Sequence, residues 1–117
     1  MYRYTMYPPF MREPTYFLLL ALGEGPAHGY GLAARAAALS GGRVKLTAGT
    51  LYGALDRLVS AGSIAVDHED TVNGRRRRYY RIEEKGHKEL ADEVARLQQS
   101  VAAAKQVGIT QSKWALP

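Results

Sequence analysis

Apolar and polar positions follow different rhythms along this chain, and each change of rhythm marks an element. Thr15 to Leu22 is apolar almost throughout and follows Pro14, a residue suited to a first helical turn. A short, very apolar helix is expected there, ended by Gly23-Glu24-Gly25-Pro26. Ala27-His28-Gly29-Tyr30-Gly31 leads into a second helix over roughly 28–40, closed by Ser40-Gly41-Gly42. Tyr30, Leu32, Ala33, Ala36, Ala37 and Leu39 are its candidate core positions. Its two early glycines weaken it by about 1 kcal/mol each relative to alanine, which suggests close backbone approach. A third helix, 48–61, has Thr47 as N-cap and stops at Gly62. Leu51, Leu55, Leu58 and Val59 follow the i, i+4, i+7, i+8 spacing of one buried face. The opposite face carries Gly49, Tyr52, Gly53, Asp56, Arg57 and Ser60. It begins with small or hydroxyl-bearing groups, as a helix entering a groove closely requires.

The rhythm then shortens to a period of two. Ile64 to Asp70 and Arg75 to Ile82 read as short strands on either side of Asn73-Gly74, a pair that favours the two-residue hairpin turn because both central positions need positive φ. Alternation sends Arg75 and Arg77 to one side of the hairpin and Arg76 and Arg78 to the other. Tyr80 and Ile82 share a parity and are expected to face the core, leaving Tyr79 the more exposed of the tyrosine pair.

A last helix runs from near Glu84 to about Val107. Leu90, Val94, Leu97, Val101 and Ala104 recur in alternating steps of four and three, with His87 extending the pattern backwards. That is a coiled-coil seam over about two and a half heptads. A helix of this kind cannot bury its seam alone. It can fold back on the small core or pair with a second copy, and its length points to pairing. Helix, turn, helix and hairpin in that order make a winged helix-turn-helix. The expected class is therefore mainly α with a small β-hairpin, plus a C-terminal dimerisation helix. The expected divisions are an aromatic, proline-broken arm over 1–13, a winged helix-turn-helix domain over 14–83, the dimerisation helix over 84–107 and a tail over 108–117.

Composition narrows the use of this scaffold. With 117 residues the chain should form one domain. Its formal net charge is +5, and subtracting the four consecutive arginines of the hairpin leaves +1, so the basic character is local. Like charges packed so closely repel one another and make most sense facing a polyanion, although a solvated charge run is the plain alternative. The absence of cysteine excludes disulfides and thiolate metal sites. The longest apolar stretch, Phe17 to Leu22, is too short to span a bilayer, and the N-terminus lacks the order of a signal peptide. A soluble cytoplasmic protein with no membrane association is expected. His28, His68 and His87 are too dispersed for a metal site, so no metal and no cofactor are expected. No nucleophile elbow, phosphate-cradling glycine loop or carboxylate pair is present, so an enzyme is not expected.

Certain spacings carry a more specific resemblance. Thr50-Leu51-Tyr52, Ala54-Leu55, Arg57-Leu58 and Gly62, followed by Gly74-Arg75, Tyr79-Tyr80-Arg81-Ile82 and Gly86, resemble the PadR family of transcriptional regulators. His28-Gly29-Tyr30 is similar to the start of that family's second helix. The resemblance covers roughly residues 15–105, and the single terminal helix is similar to the family's compact branch. It implies a homodimeric winged-helix DNA binder, usually a repressor released by a small molecule. One departure lies after the wing, where the family commonly has Thr-Glu-x-Gly and this chain has Glu83-Glu84-Lys85-Gly86. Glu83 is a poorer cap, though its charge still suits the positive helix end.

By resemblance and by geometry the third helix would lie in the major groove. Thr47 and the backbone amides at its N-terminus would hold a phosphate. Thr50 and Tyr52 would sit at the groove, with Lys45 adding a phosphate contact just before the helix. Tyr52 also has the plainer reading of a boundary residue packed on the wing. Arg57 is a further candidate two turns along, and Asp56 on the same face would repel phosphate. The wing residues Arg75, Arg76, Arg77 and Arg78 would reach flanking backbone or minor groove. Leu90, Val94, Leu97, Val101 and Ala104 form the expected dimer interface. The expected partners are double-stranded DNA carrying an inverted-repeat operator, a second copy of the chain, and a small hydrophobic effector between the terminal helices and the core. Leu97 and Trp114 are its weak candidate contacts. Two other functions fit the same surface: a winged-helix module gripping an acidic protein, and RNA binding through the basic hairpin.

Overall fold

A computed structural model of the protein describes residues 11–109. The aromatic residues of the arm (Tyr2, Tyr4, Tyr7 and Phe10) and Trp114 lie outside the described residues. The elements in order are α1 (Glu13–Gly23), β1 (Ala27–His28), α2 (Gly29–Leu39), α3 (Ala48–Ser60), β2 (Ile64–Val72), β3 (Arg75–Ile82) and α4 (Glu84–Gln106). β3 is the central strand of an antiparallel sheet with order β1-β3-β2.

α1 supplies most of the core. Phe17, Leu18, Leu19, Ala21 and Leu22 are all buried, so the helix has no solvated face along this stretch. Leu32 and Ala36 of α2, Leu51, Ala54 and Leu55 of α3, Ile64 of β2 and Tyr80 of β3 close around it. The parity expected for the returning strand holds, since Tyr80 is 2% exposed while Tyr79 is half-buried. Arg35 ties α2 to the end of α1, its Nη1 donating to the carbonyls of Ala21 at 3.0 Å and Gly25 at 2.9 Å.

Three expectations need correcting. Tyr30 and Leu39 are not core residues: they are 65% and 43% exposed. α2 is alanine-rich on every side, so its sequence offers no periodic contrast to select a buried face, and the apolar side chains it buries fully are those of Leu32 and Ala36. Val59 is likewise 37% exposed, because α3 turns Ala54 rather than Val59 inward. The third correction is β1. Ala27 and His28 were expected only to lead into a helix, yet they pair with Tyr80 and Tyr79 of β3.

The two ends of α3 form as its sequence dictates. Thr47 Oγ1 accepts the Thr50 amide at 3.4 Å, the N-cap arrangement. At the other end Gly62 takes a positive φ of 79°, and the amides of Gly62 and Ser63 bond back to the carbonyls of Val59 and Leu58. This pairing ends the helix and turns the chain into the wing. Asn73 and Gly74, with φ of 52° and 76°, make the expected hairpin turn. β2 runs two residues further than expected, to Val72, because the turn pairs Val72 directly with Arg75.

α4 is seated by contact with the α3–β2 turn. A Cβ built on Gly86 would lie 2.1 Å from the Ser63 carbonyl oxygen, so no side chain fits there. The same oxygen accepts the Glu83 amide at 2.9 Å, and Ser63 Oγ donates to Glu89 Oε1 at 2.5 Å. Glu83 makes no side-chain cap; Arg81 Nη2 takes its carboxylate instead, at 3.4 Å.

Candidate nucleic-acid interface

Hairpin geometry governs where the wing cations go. The two-residue turn fixes the register, so Glu69 stands across from Arg78, Asp70 from Arg77 and Thr71 from Arg76. Arg76 Nη2 and Arg78 Nε both reach the Glu69 carboxylate, at 2.5 and 3.1 Å. Both guanidiniums therefore lie on the Glu69 side, as alternation requires. The hydrogen bond from Arg78, aided by the charge of Arg76, holds the Glu69 carboxyl below its ordinary range. Arg75 and Arg77 are exposed and make no ion pair among the described residues.

The root of the wing is stiffened by rings. His68 stacks on Tyr79 with centroids 4.3 Å apart and planes 11° from parallel, and His28 meets the same tyrosine edge-on at 5.4 Å. His28 also caps α2, Nδ1 accepting the Gly31 amide at 3.2 Å. The pairing slips by one residue between Val66 and His68. The unpaired Asp67 holds the ring of His68 by a 2.6 Å contact to Nδ1.

α3 meets the start of α2 through Tyr52. Its ring lies on the backbone of Gly29, where a Cβ would come within 2.8 Å of the phenolic oxygen. One of the two early glycines of α2 is therefore the close approach expected of it. Tyr30 touches the Tyr52 ring edge-on, with centroids 6.2 Å apart. Burial, followed by the neighbouring Tyr30 and Tyr80, pushes the Tyr52 phenol upward, so it keeps its proton at neutral pH and can donate a hydrogen bond. Tyr52 is a boundary residue, but its ring packs on Gly29 and Tyr30 of α2 rather than on the wing, and it stays 38% exposed.

Tyr52 and all four wing arginines line one cleft of about 490 Å³, with Tyr30 and Asp56 on its α-helical side and Glu69 on its β side. Thr47 and Thr50 are exposed at the start of α3, and the Thr47 hydroxyl donates to Thr50 Oγ1 at 3.0 Å, fixing both side chains. Gly49 is exposed beside them, and a Cβ there would meet nothing. Packing among the described residues does not demand that glycine. Lys45 is exposed in the connection before the helix. Lys45, Thr47, Thr50 and Arg57 do not line the cleft, and Arg57 borders a separate depression with Met11, Thr15, Leu58 and Glu89. Sequence reasoning passed over Tyr30 as a surface group, having placed it in the core. It also passed over Glu69, although counting back from Asn73-Gly74 sets that glutamate opposite Arg78. No cluster of three or more metal-ligating side chains occurs among the described residues, and no helix among them is long and apolar enough to cross a membrane.

A capped helix beside a basic hairpin, on a three-helix core, defines a winged helix-turn-helix protein. The model of the transcriptional regulator PadR-like family matches residues 18–92, and the chain belongs to that family. It is accordingly a DNA-binding transcriptional regulator and not an enzyme. No curated protein matches the chain. Among solved structures, a PadR family regulator from Clostridium difficile superposes with a TM-score of 0.68 at 21% identity, covering 82% of this chain and 98% of that one. A PadR family regulator from Eggerthella lenta is 26% identical with a TM-score of 0.64, covering 84% and 86%. Bacillus subtilis PadR in complex with operator DNA is 21% identical with a TM-score of 0.63, covering 71% of this chain and 47% of that one.

Proposed function

We propose that the protein is a homodimeric repressor that reads an inverted repeat in duplex DNA and is released by a small hydrophobic effector. The observation that carries this reading is the cleft that the four wing arginines share with Tyr52 of α3, a helix whose capped start is exposed. α3 enters the major groove by its N-terminal half, because Asp56 further along would repel phosphate. Thr47 and the free amides of the first turn hold a phosphate, Thr50 and Tyr52 sit at the groove, and Lys45 adds a backbone contact. Arg75 to Arg78 reach the flanking phosphates or the minor groove. Arg57, which borders a different depression, is the weakest member of the set.

Dimerisation is supported by α4. Val94 and Ala104 are half-buried, while Leu97 and Val101 are 36% and 54% exposed, a row of aliphatic side chains that the described residues leave partly uncovered. Leu90, the first residue of the seam, packs against the protomer's own core as well. Two heads joined this way would address half-sites about one helical turn, ~34 Å, apart. For the effector, a groove of about 400 Å³ runs along α4 past Leu97 and Val101, and Tyr16 of α1 gives it the aromatic wall that the seam itself lacks. An effector there must bind the DNA-incompetent arrangement more tightly than the competent one, or it shifts nothing.

Selection of duplex DNA from a random pool tests the reading. Recovery of a palindrome is the expected result. No enrichment over bulk DNA would sink it, and preferential capture of RNA would reassign the hairpin.

A further inference from the structure

The four wing arginines are not equivalent. Arg75 and Arg77 make no ion pair among the described residues, whereas Arg76 and Arg78 share one carboxylate, one guanidinium on each Glu69 oxygen at 2.5 and 3.1 Å. A carboxylate gripped by two arginines presents the charge and the paired acceptors that a backbone phosphate presents. We propose that Glu69 is a specificity-determining residue, an internal phosphate surrogate that occupies Arg76 and Arg78 in the free protein and yields them only when α3 is seated. The inference rests on the wing being a DNA contact.

Exchange is what separates the two pairs of arginines. A phosphate meeting Arg75 or Arg77 forms a new ion pair and releases counterions. A phosphate meeting Arg76 or Arg78 must first displace Glu69, so one pair is traded for another and little is gained. On a random sequence α3 does not dock, the backbone is not held in place, and the trade does not occur. On the operator the docked helix brings the backbone to the wing and makes the exchange worthwhile. Asp56 of α3 lines the same cleft and adds to the selectivity, because a loosely bound phosphate entering there meets two carboxylates. Register gives the device a built-in comparison. Asp70, the next residue of β2, stands opposite Arg77 but makes no ion pair among the described residues.

The test is a binding titration of Glu69→Gln against a selected operator duplex and a scrambled duplex, from about 50 to about 200 mM salt. Binding to the scrambled duplex should tighten about tenfold, with a salt slope steeper by about one to two units, as one or two further phosphates are engaged. Operator binding should change less, so the ratio between the two falls. Asp70→Asn makes the same change in net charge and should leave the slope near that of the wild type. Adding Arg76→Ala and Arg78→Ala to Glu69→Gln should return the scrambled-duplex slope to the wild-type value. Equal effects of Glu69→Gln and Asp70→Asn would overturn the proposal, since net charge alone would then explain them. Equal tightening on both duplexes would overturn it too. If replacing all four arginines by alanine left operator binding intact, the wing reading itself would fail and the proposal with it. Failure of the surrogate alone would show instead as a quadruple variant that binds weakly beside a Glu69→Gln that behaves as wild type.

Discussion

The wing tip and the second half of α4 both run past the core, one exposing arginines and the other aliphatic side chains. On the wing, water and salt cover the charge, and Glu69 and Asp67 neutralise part of it within the hairpin. Among the described residues nothing covers Leu97 and Val101 in this way, because apolar surface is relieved only by other apolar surface. A wing of this kind is complete without its partner and is tuned by ionic strength. A helix of this kind is incomplete until something packs on it. On the proposed reading, pairing is a condition of the fold's use, while DNA contact is a reversible event laid on top of it.

The sharpest way to break the comparison is to remove the joint on which both regions depend. Gly86 lets α4 sit against the Ser63 carbonyl, and Ser63 is also where the chain turns into β2. Gly86→Ala forces the backbones apart and should cost roughly 3 kcal/mol, seen as a lowered midpoint in denaturant unfolding. Next in size, Leu97→Asp with Val101→Asp should weaken self-association on the order of a hundredfold or more while leaving the head folded. Sedimentation equilibrium reads this directly, and a variant that remained dimeric would remove α4 from the interface. A smaller effect is expected at Glu93, where α4 meets the start of the described chain. This glutamate is buried, and its carboxylate is held by Arg96 at 2.5 and 2.9 Å. The Arg96 hydrogen bond, opposed by burial and aided by the Met11 amide, keeps its carboxyl below the usual range. A depressed carboxylate contributes stability above the ordinary carboxylate range and loses it as pH falls through the lowered value. Glu93→Gln should therefore melt a few degrees below wild type at neutral pH, with the gap closing on acidification.

Much of this organisation was legible in the residues. Thr47 and Gly62 bound α3, Asn73-Gly74 fixed the hairpin, and the parity of Tyr80 picked the core side of β3, because each is a local signal with a local cause. What escaped reading depends on distant partners. β1 is two residues long and exists only because β3 lies beside it. Tyr30 could not be placed from an alanine-rich helix without a polar face, and the neighbour that explains its position, Tyr52, is on another element. Glu93 is a residue type that normally faces water, and only Arg96 and the Met11 amide together make its burial tolerable. The Glu69 pairing is a different case: it was missed, although the hairpin register alone sets that glutamate opposite Arg78.

Whether the basic wing meets DNA backbone through a limited number of arginines is read from the salt dependence of operator binding, measured for the wild type and for the variant with Arg75, Arg76, Arg77 and Arg78 all changed to alanine. The variant should bind more weakly to every duplex, with a salt slope flatter by about 0.9 for each phosphate the wing no longer neutralises. An unchanged affinity and an unchanged slope would contradict the account and return the arginine run to the status of a solvated charged surface.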